Sequence, residues 1–164
     1  MASGDTLLIF TPLNNEPPAT VYATFDTRNS HPVLDFDAST NWSAVFSSVM
    51  PQHYAGTTGV TVYLHYAMSS AVADTIDWDV AFELIGDQDL DIDADGFAAV
   101  QSINDVTVPE TSGLVDIVSI AFTDGAQMDS VLAGDGFRLK VTRDAVSDDA
   151  AGDAELLFVE IRET

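Results

Sequence analysis

The sequence predicts an all-β domain: a two-sheet antiparallel sandwich of jelly-roll or Greek-key type, with about eight or nine strands and one short helix. Three observations lead there. Apolar and polar residues alternate with period 2 along most of the chain. Turns rich in Gly or Asp interrupt the alternation, as in Gly56-Thr-Thr-Gly59, Gly86-Asp-Gln-Asp89, Asp124-Gly125 and Gly134-Asp-Gly136. Helical patterning is confined to 126–133, about two turns.

Residues 1–18 read as an extended arm, because Pro12, Pro17 and Pro18 restrict φ and remove backbone donors. Such an arm either packs on its own domain or reaches a neighbouring subunit. The sandwich spans 19–164, and its first strands fall at 19–26, 32–37 and 42–49. In 60–66, Val60, Val62, Leu64 and Tyr66 oppose Thr61, Tyr63 and His65. The clearest element is 76–84. There Ile76, Trp78, Val80, Phe82 and Leu84 face one way, and Asp77, Asp79 and Glu83 the other. A helix would scatter those acids through its apolar stripe, whereas a strand separates them.

Strands at 97–108 and 114–123 follow, the first with an apolar run that fits neither period well. Phe137, Leu139 and Val141 then alternate with Arg138, Lys140 and Thr142. In the last strand Leu157, Val159 and Ile161 form the inward set, which turns Leu156 and Phe158 outward. Outward apolar side chains need a cover, either the arm or another subunit.

The 164 residues suit one domain, and 46% apolar content is enough for a core without staples. The chain has no cysteine, so disulfides and thiolate metal sites are excluded. Five basic residues (Arg28, Arg138, Lys140, Arg143 and Arg162) face 27 carboxylates, a net charge of −22. Such a surface repels phosphate backbones and anionic membranes, so neither nucleic acid nor membrane is an expected partner. The first residues lack the basic and apolar regions of a secretion signal, which points to folding in a cytoplasm.

Little in the sequence carries chemistry. Asp91, Asp93 and Asp95, followed by Gly96, place alternating carboxylates before a turn residue, a pattern that can wrap calcium. It is not an EF-hand, because the twelfth position is Ser102 and the ninth Ala99. A calcium loop of another kind and a solvated acidic hairpin both remain open, and no other cofactor is expected. His31, His53 and His65 have no metal-binding spacing. No nucleophile elbow, P-loop or dinucleotide fingerprint occurs, so no catalytic residue is assigned and no enzyme is expected. Among the aromatic residues that could form a sugar platform (Trp42, Tyr54, Tyr63 and Trp78), Trp78 falls in a core phase. Tyr54, in a loop, is the best candidate for glycan contact.

Three stretches carry a resemblance: 23–37 (ATFDTRNSHPVLDFD), 136–144 (GFRLKVTRD) and 152–164 (GDAELLFVEIRET). They are similar to short jelly-roll virion proteins of tailed phages, including those of cyanobacteria. The resemblance implies a capsid decoration, or cement, protein. It would be made in the host cytoplasm, trimerise on the outer shell and stabilise the major capsid protein. Under that implication Leu7, Leu8, Ile9 and Phe10 of the arm, with Leu156 and Phe158, make the oligomer or capsid contacts. The alternative is a glycan-binding β-sandwich, either a tail fibre, spike or baseplate module or a stand-alone carbohydrate- or calcium-binding one.

Overall fold

The alternation in 76–84 becomes one long strand that carries the largest aromatic side chain into the interior. The computed structural model describes residues 4–71, 73–89 and 91–164. Among them are ten strands: β1 (Thr6–Phe10), β2 (Thr24–Arg28), β3 (His31–Phe36), β4 (Ser43–Val49), β5 (Val60–Met68), β6 (Thr75–Ile85), β7 (Gln101–Thr107), β8 (Asp116–Phe122), β9 (Gly136–Arg143) and β10 (Ala154–Glu163). One sheet runs β2-β3-β10-β5-β8, with β1 added to β10; the other runs β4-β9-β6-β7. Every pairing between these strands is antiparallel, and the architecture is the sandwich that the alternation predicts.

Aromatic rings join the two layers. Trp78 of β6 meets Phe36 of β3 and Tyr66 of β5 edge-on, at 5.1 and 5.4 Å between centroids. Phe82 meets Phe122 of β8 in the same way at 5.0 Å. Such pairs add roughly 0.5–1.5 kcal/mol each beyond area burial. The acids on the other face of β6 are held as well. Glu83 pairs with Arg138, and Asp77 accepts the backbone N–H of Asp105 at 2.7 Å.

The arm contributes a strand to its own domain. β1 pairs with β10, Leu7 and Phe10 are buried, and the Phe10 ring stacks on Phe46 of β4 at 5.2 Å. This corrects the assignment of Leu7 and Phe10 to contacts with a neighbour, since both are core residues of their own chain. The cause is the edge of β10 beyond β3, whose backbone groups need a partner. Leu8 is half-buried against the core, and Ile9 is 58% exposed.

A second correction falls on β10. Its ladder with β5 pairs Leu156 with Tyr66 and Phe158 with His65, leaving Leu157 as the extra residue of a bulge. The bulge reverses the phase. Leu156 joins Val159 and Ile161 in the core, 1% exposed, while Leu157 is half-buried and Phe158 is 44% exposed. Leu156 is therefore packing and not an outward contact.

The helix expected at 126–133 is a single 3-10 turn, Ala126–Met128. Asp129 and Ser130 stop it by taking left-handed backbone angles, φ 55° and 62°. The Asp129 carboxylate there accepts the backbone N–H of Leu84 at 2.8 Å.

Candidate functional site

β10 is bordered on one edge by β5 along nearly its whole length, while the other edge is divided between two strands. β3 pairs with 154–156 there, and β1 pairs with 159–162. Residues 157 and 158 thus have no strand partner on that side, at the position where the bulge lies. A cleft of about 880 Å³ opens over this gap.

Each wall has a local origin. The connection after β1 supplies Thr11, Pro12 and Leu13, and β10 supplies Glu155, Leu157 and Phe158. Arg28, Asn29, His31, Pro32 and Val33 come from the β2–β3 hairpin. That hairpin closes through Asn29 and Ser30, both with positive φ (47° and 65°), which is the backbone twist a two-residue hairpin needs. Ser112, Gly113 and Val115 line the side toward β8.

One end of the cleft is polar and fixed. Arg28 donates from Nη1 to the Met68 carbonyl at 3.0 Å and to the Glu155 carboxylate, and from Nη2 to Ser112 Oγ at 2.8 Å. Gly113 permits this arrangement: a Cβ there would lie 2.7 Å from Arg28 Nη2, and the residue has φ +79°. The middle is apolar, with Phe158 standing edge-on to His65 at 5.9 Å.

Carboxylates crowd the sheet beside the polar end. Glu155 lies directly opposite Asp35, and the Asp35 side chain is hydrogen-bonded to Asp26. Burial, reinforced by the negative charges of Asp26, Glu155 and Asp153, pushes the Asp35 carboxyl up to about 6. Beyond Phe158 the balance reverses. Hydrogen bonding to Arg162, with help from Thr6, holds Glu160 down at about 2. Arg162 in turn lies over the Tyr63 ring, 4.2 Å from its centroid.

Most residues singled out in the sequence lie elsewhere. Tyr54 is buried, a correction to its role as an exposed sugar contact. Its hydroxyl donates to Asp124 at 3.3 Å, and burial pushes it up to about 12. Trp42 is half-buried against the core, and Trp78 is wholly within it.

Asp91, Asp93 and Asp95 form a self-contained turn in which Asp91 Oδ1 accepts the N–H of Asp93 at 3.0 Å. Asp95 Oδ1 accepts the N–H of Gly96 at 2.8 Å. Among the described residues, no three His, Cys, Asp or Glu side chains converge as a metal site. Of the residues assigned to a contact in the sequence, Phe158 alone lines the cleft; His31, weighed there only as a metal ligand, lines it as well. Ser112 and Glu155 escaped notice and Arg28 entered only as one of five basic residues, although Leu156-Leu157-Phe158, three apolar residues in a row, marked the break in alternation where the cleft forms.

No family model and no curated protein matches the sequence. Solved structures do match in fold. A family 35 carbohydrate-binding module from an environmental isolate superimposes with TM-score 0.56 at 9% identity, covering 94% of this chain and 92% of that one. The CBM22-1 xylan-binding domain of Xyn10C from Paenibacillus barcinonensis gives 0.51 at 12% identity, covering 99% and 96%. The carbohydrate-binding module TmCBM27, described for specific mannan recognition, gives 0.50 at 11% identity, covering 99% of each chain.

Proposed function

We propose that this chain is a non-catalytic carbohydrate-binding β-sandwich that takes a glycan in the cleft over the β10 bulge. The composition of that cleft carries the reading. Exposed apolar side chains at Phe158, Leu13 and Pro32 lie beside hydrogen-bonding groups at Arg28, Asn29, Ser112 and Glu155. A pyranose is divided in the same way, with C–H faces that pack on apolar surface and a rim of hydroxyls that need donors and acceptors. The likeness in fold to modules named for xylan and mannan binding supports the reading.

Two further observations set it above its rivals. Leu7, Phe10 and Leu156, assigned to capsid contact, are consumed by the chain's own core. Glu155 is the one carboxylate among the described residues lining the cleft, so the acid pair needed for glycoside hydrolysis is not assembled there.

The test is affinity electrophoresis through gels containing xylan, mannan, β-glucan or chitosan, followed by calorimetry with the matching oligosaccharide. At least one polysaccharide should retard the protein, and Phe158→Ala should weaken that binding by about tenfold, or roughly 1.4 kcal/mol. Unretarded migration in every gel, or binding unaffected by both Phe158→Ala and Arg28→Ala, would remove this function.

A further inference from the structure

We propose that the step from Asp95 to Gly96 is a site of spontaneous backbone modification, where the Asp95 side chain closes onto the Gly96 nitrogen and reopens as isoaspartate. The chemistry needs only the chain and water. Gly96 N bonds to Cγ of the protonated Asp95 carboxyl, a Cγ–O bond breaks, and that hydroxyl leaves as water with the amide hydrogen. Water then adds to either carbonyl of the cyclic imide. Breaking the new Cγ–N bond restores aspartate. Breaking the original peptide bond instead routes the main chain through Cβ and Cγ and leaves the α-carboxyl free.

Two conditions meet at this step alone among the described residues. The first is a carboxylate held on the nitrogen that must attack it: Asp95 Oδ1 accepts the Gly96 N–H at 2.8 Å. Asp26 and Asp116 hold the next N–H in the same way, at 2.7 and 2.9 Å, but the residues that follow are Thr27 and Ile117. Their branched Cβ atoms crowd the ring closure, and both residues lie in strands. The second condition is a nitrogen with no side chain beside it. Asp124-Gly125 and Asp135-Gly136 also offer this, yet their carboxylates are turned elsewhere. Asp124 accepts the Tyr54 hydroxyl at 3.3 Å, and Asp135 accepts the N–H of Leu132 at 2.9 Å. Gly136 is held further in the ladder between Val49 and Ile85.

The surroundings hold the reacting pair in place. The N–H groups of Ala94 and Asp95 both donate to the Asp91 carbonyl, at 2.8 and 3.0 Å, which fixes the backbone entering the step. A Cβ on Gly96 would meet no atom within 4 Å, so the imide has room to form. Keeping nucleophile and carboxyl in one arrangement is what lowers such a barrier. The added backbone atom would fall between two anchors of the β6–β7 connection, the Asp91 turn and the Ala98 N–H that donates to the Phe82 carbonyl at 2.8 Å. Phe97 lies between those anchors, its ring centroid 4.5 Å from Lys140 Nζ and 5.1 Å from Arg138 Cζ. Isoaspartate at 95 would therefore change how that ring sits on β9.

The experiment is peptide mapping by mass spectrometry of the full chain, aged in mildly acidic buffer, folded in one sample and unfolded in urea in another. In the folded sample the peptide holding 95–96 should lose the mass of one water, then regain it as an isomer with altered retention. Its rate should exceed those at Asp124-Gly125 and Asp135-Gly136 by at least about tenfold. In urea the three rates should converge, because the advantage belongs to the fold. Asp95→Glu, which lengthens the ring to be closed, should suppress the reaction.

Absence of imide and isomer at Asp95 in the folded chain would overturn the proposal. So would equal rates at the three steps in that sample, because the dipeptide and not the held carboxylate would then set them. An advantage that persists undiminished in urea would overturn it for the same reason. None of these outcomes bears on the carbohydrate reading, which rests on the opposite sheet.

Discussion

The guanidinium of Arg143 grips the carboxylate of Asp148 through two bonds, Nε to Oδ2 at 2.8 Å and Nη2 to Oδ1 at 3.1 Å, and both side chains are sealed from solvent. Arg143 continues the inward phase of Phe137, Leu139 and Val141, so β9 ends by driving a cation into the interior. Its remaining donors reach the carbonyls of Ala150 at 2.6 Å and Gly152 at 2.7 Å, binding the β9–β10 connection to the sheet. Replacing Arg143 with Met leaves Asp148 charged, buried and unpaired. Urea denaturation should show a loss of about 3–5 kcal/mol, with Asp148→Asn milder than Arg143→Met.

The bulge in β10 sets two neighbouring apolar residues apart. Leu156→Ala should cost about 2–5 kcal/mol, because it opens a cavity between the sheets. Phe158→Ala should cost under about 1 kcal/mol, since its ring already meets water. Equal costs in paired denaturation curves would mean that the phase reversal at Leu157 is not present in solution.

Gly113 is the residue whose replacement should damage the cleft most directly. Ala at this position takes on a left-handed backbone and pushes against Arg28, a combined loss of about 1–3 kcal/mol. Glycan affinity should fall with it, because Arg28 must leave Ser112 or Glu155 to make room. Thermal melting and calorimetry on Gly113→Ala test both parts.

Acid should act on the two halves of the outer face in opposite directions. Asp35 holds its proton up to about pH 6 when folded, against an ordinary value of 3.8, so the folded state binds more protons in that window. Its contribution to stability therefore declines as pH rises from 3.8 to about 6, and Asp35→Asn should stabilise the protein at neutral pH. Glu160 behaves conversely. Its folded value of about 2 lies below the ordinary 4.5, so the stability it supplies is complete above 4.5 and drains away as pH falls toward 2. Glu160→Gln should flatten that acid limb in melts recorded from pH 2 to 5.

How far the sequence carries depends on whether a property is local. Alternation in 76–84 identifies both the strand and its buried face, because Asp77, Asp79 and Glu83 leave one phase for the core. At Leu156-Leu157-Phe158 the same reasoning has no purchase. Three apolar residues fit either phase, and the choice is made by a bulge in the ladder with β5. Tyr54 looks like a loop tyrosine until Asp124 and Met128, about seventy residues away, close over it. The cleft is harder still, since it exists only because β1 and β3 stop short of each other along β10. The acidic motif at 91–96 illustrates the converse: regular spacing of carboxylates says nothing about whether their oxygens converge.

The division of β10 between β1, β3 and β5 also orders events during synthesis. Of the described strands β10 is the last to be translated, yet it lies between β3 and β5 and also holds β1. Until it emerges from the ribosome, β1 and the β2–β3 hairpin have no strand to join them to β5 and β8. Nascent chains would carry Leu7, Phe10, Leu34 and Leu64 without the surface that buries them. A net charge of −22 would oppose the pairing of such open strand edges between two incomplete chains.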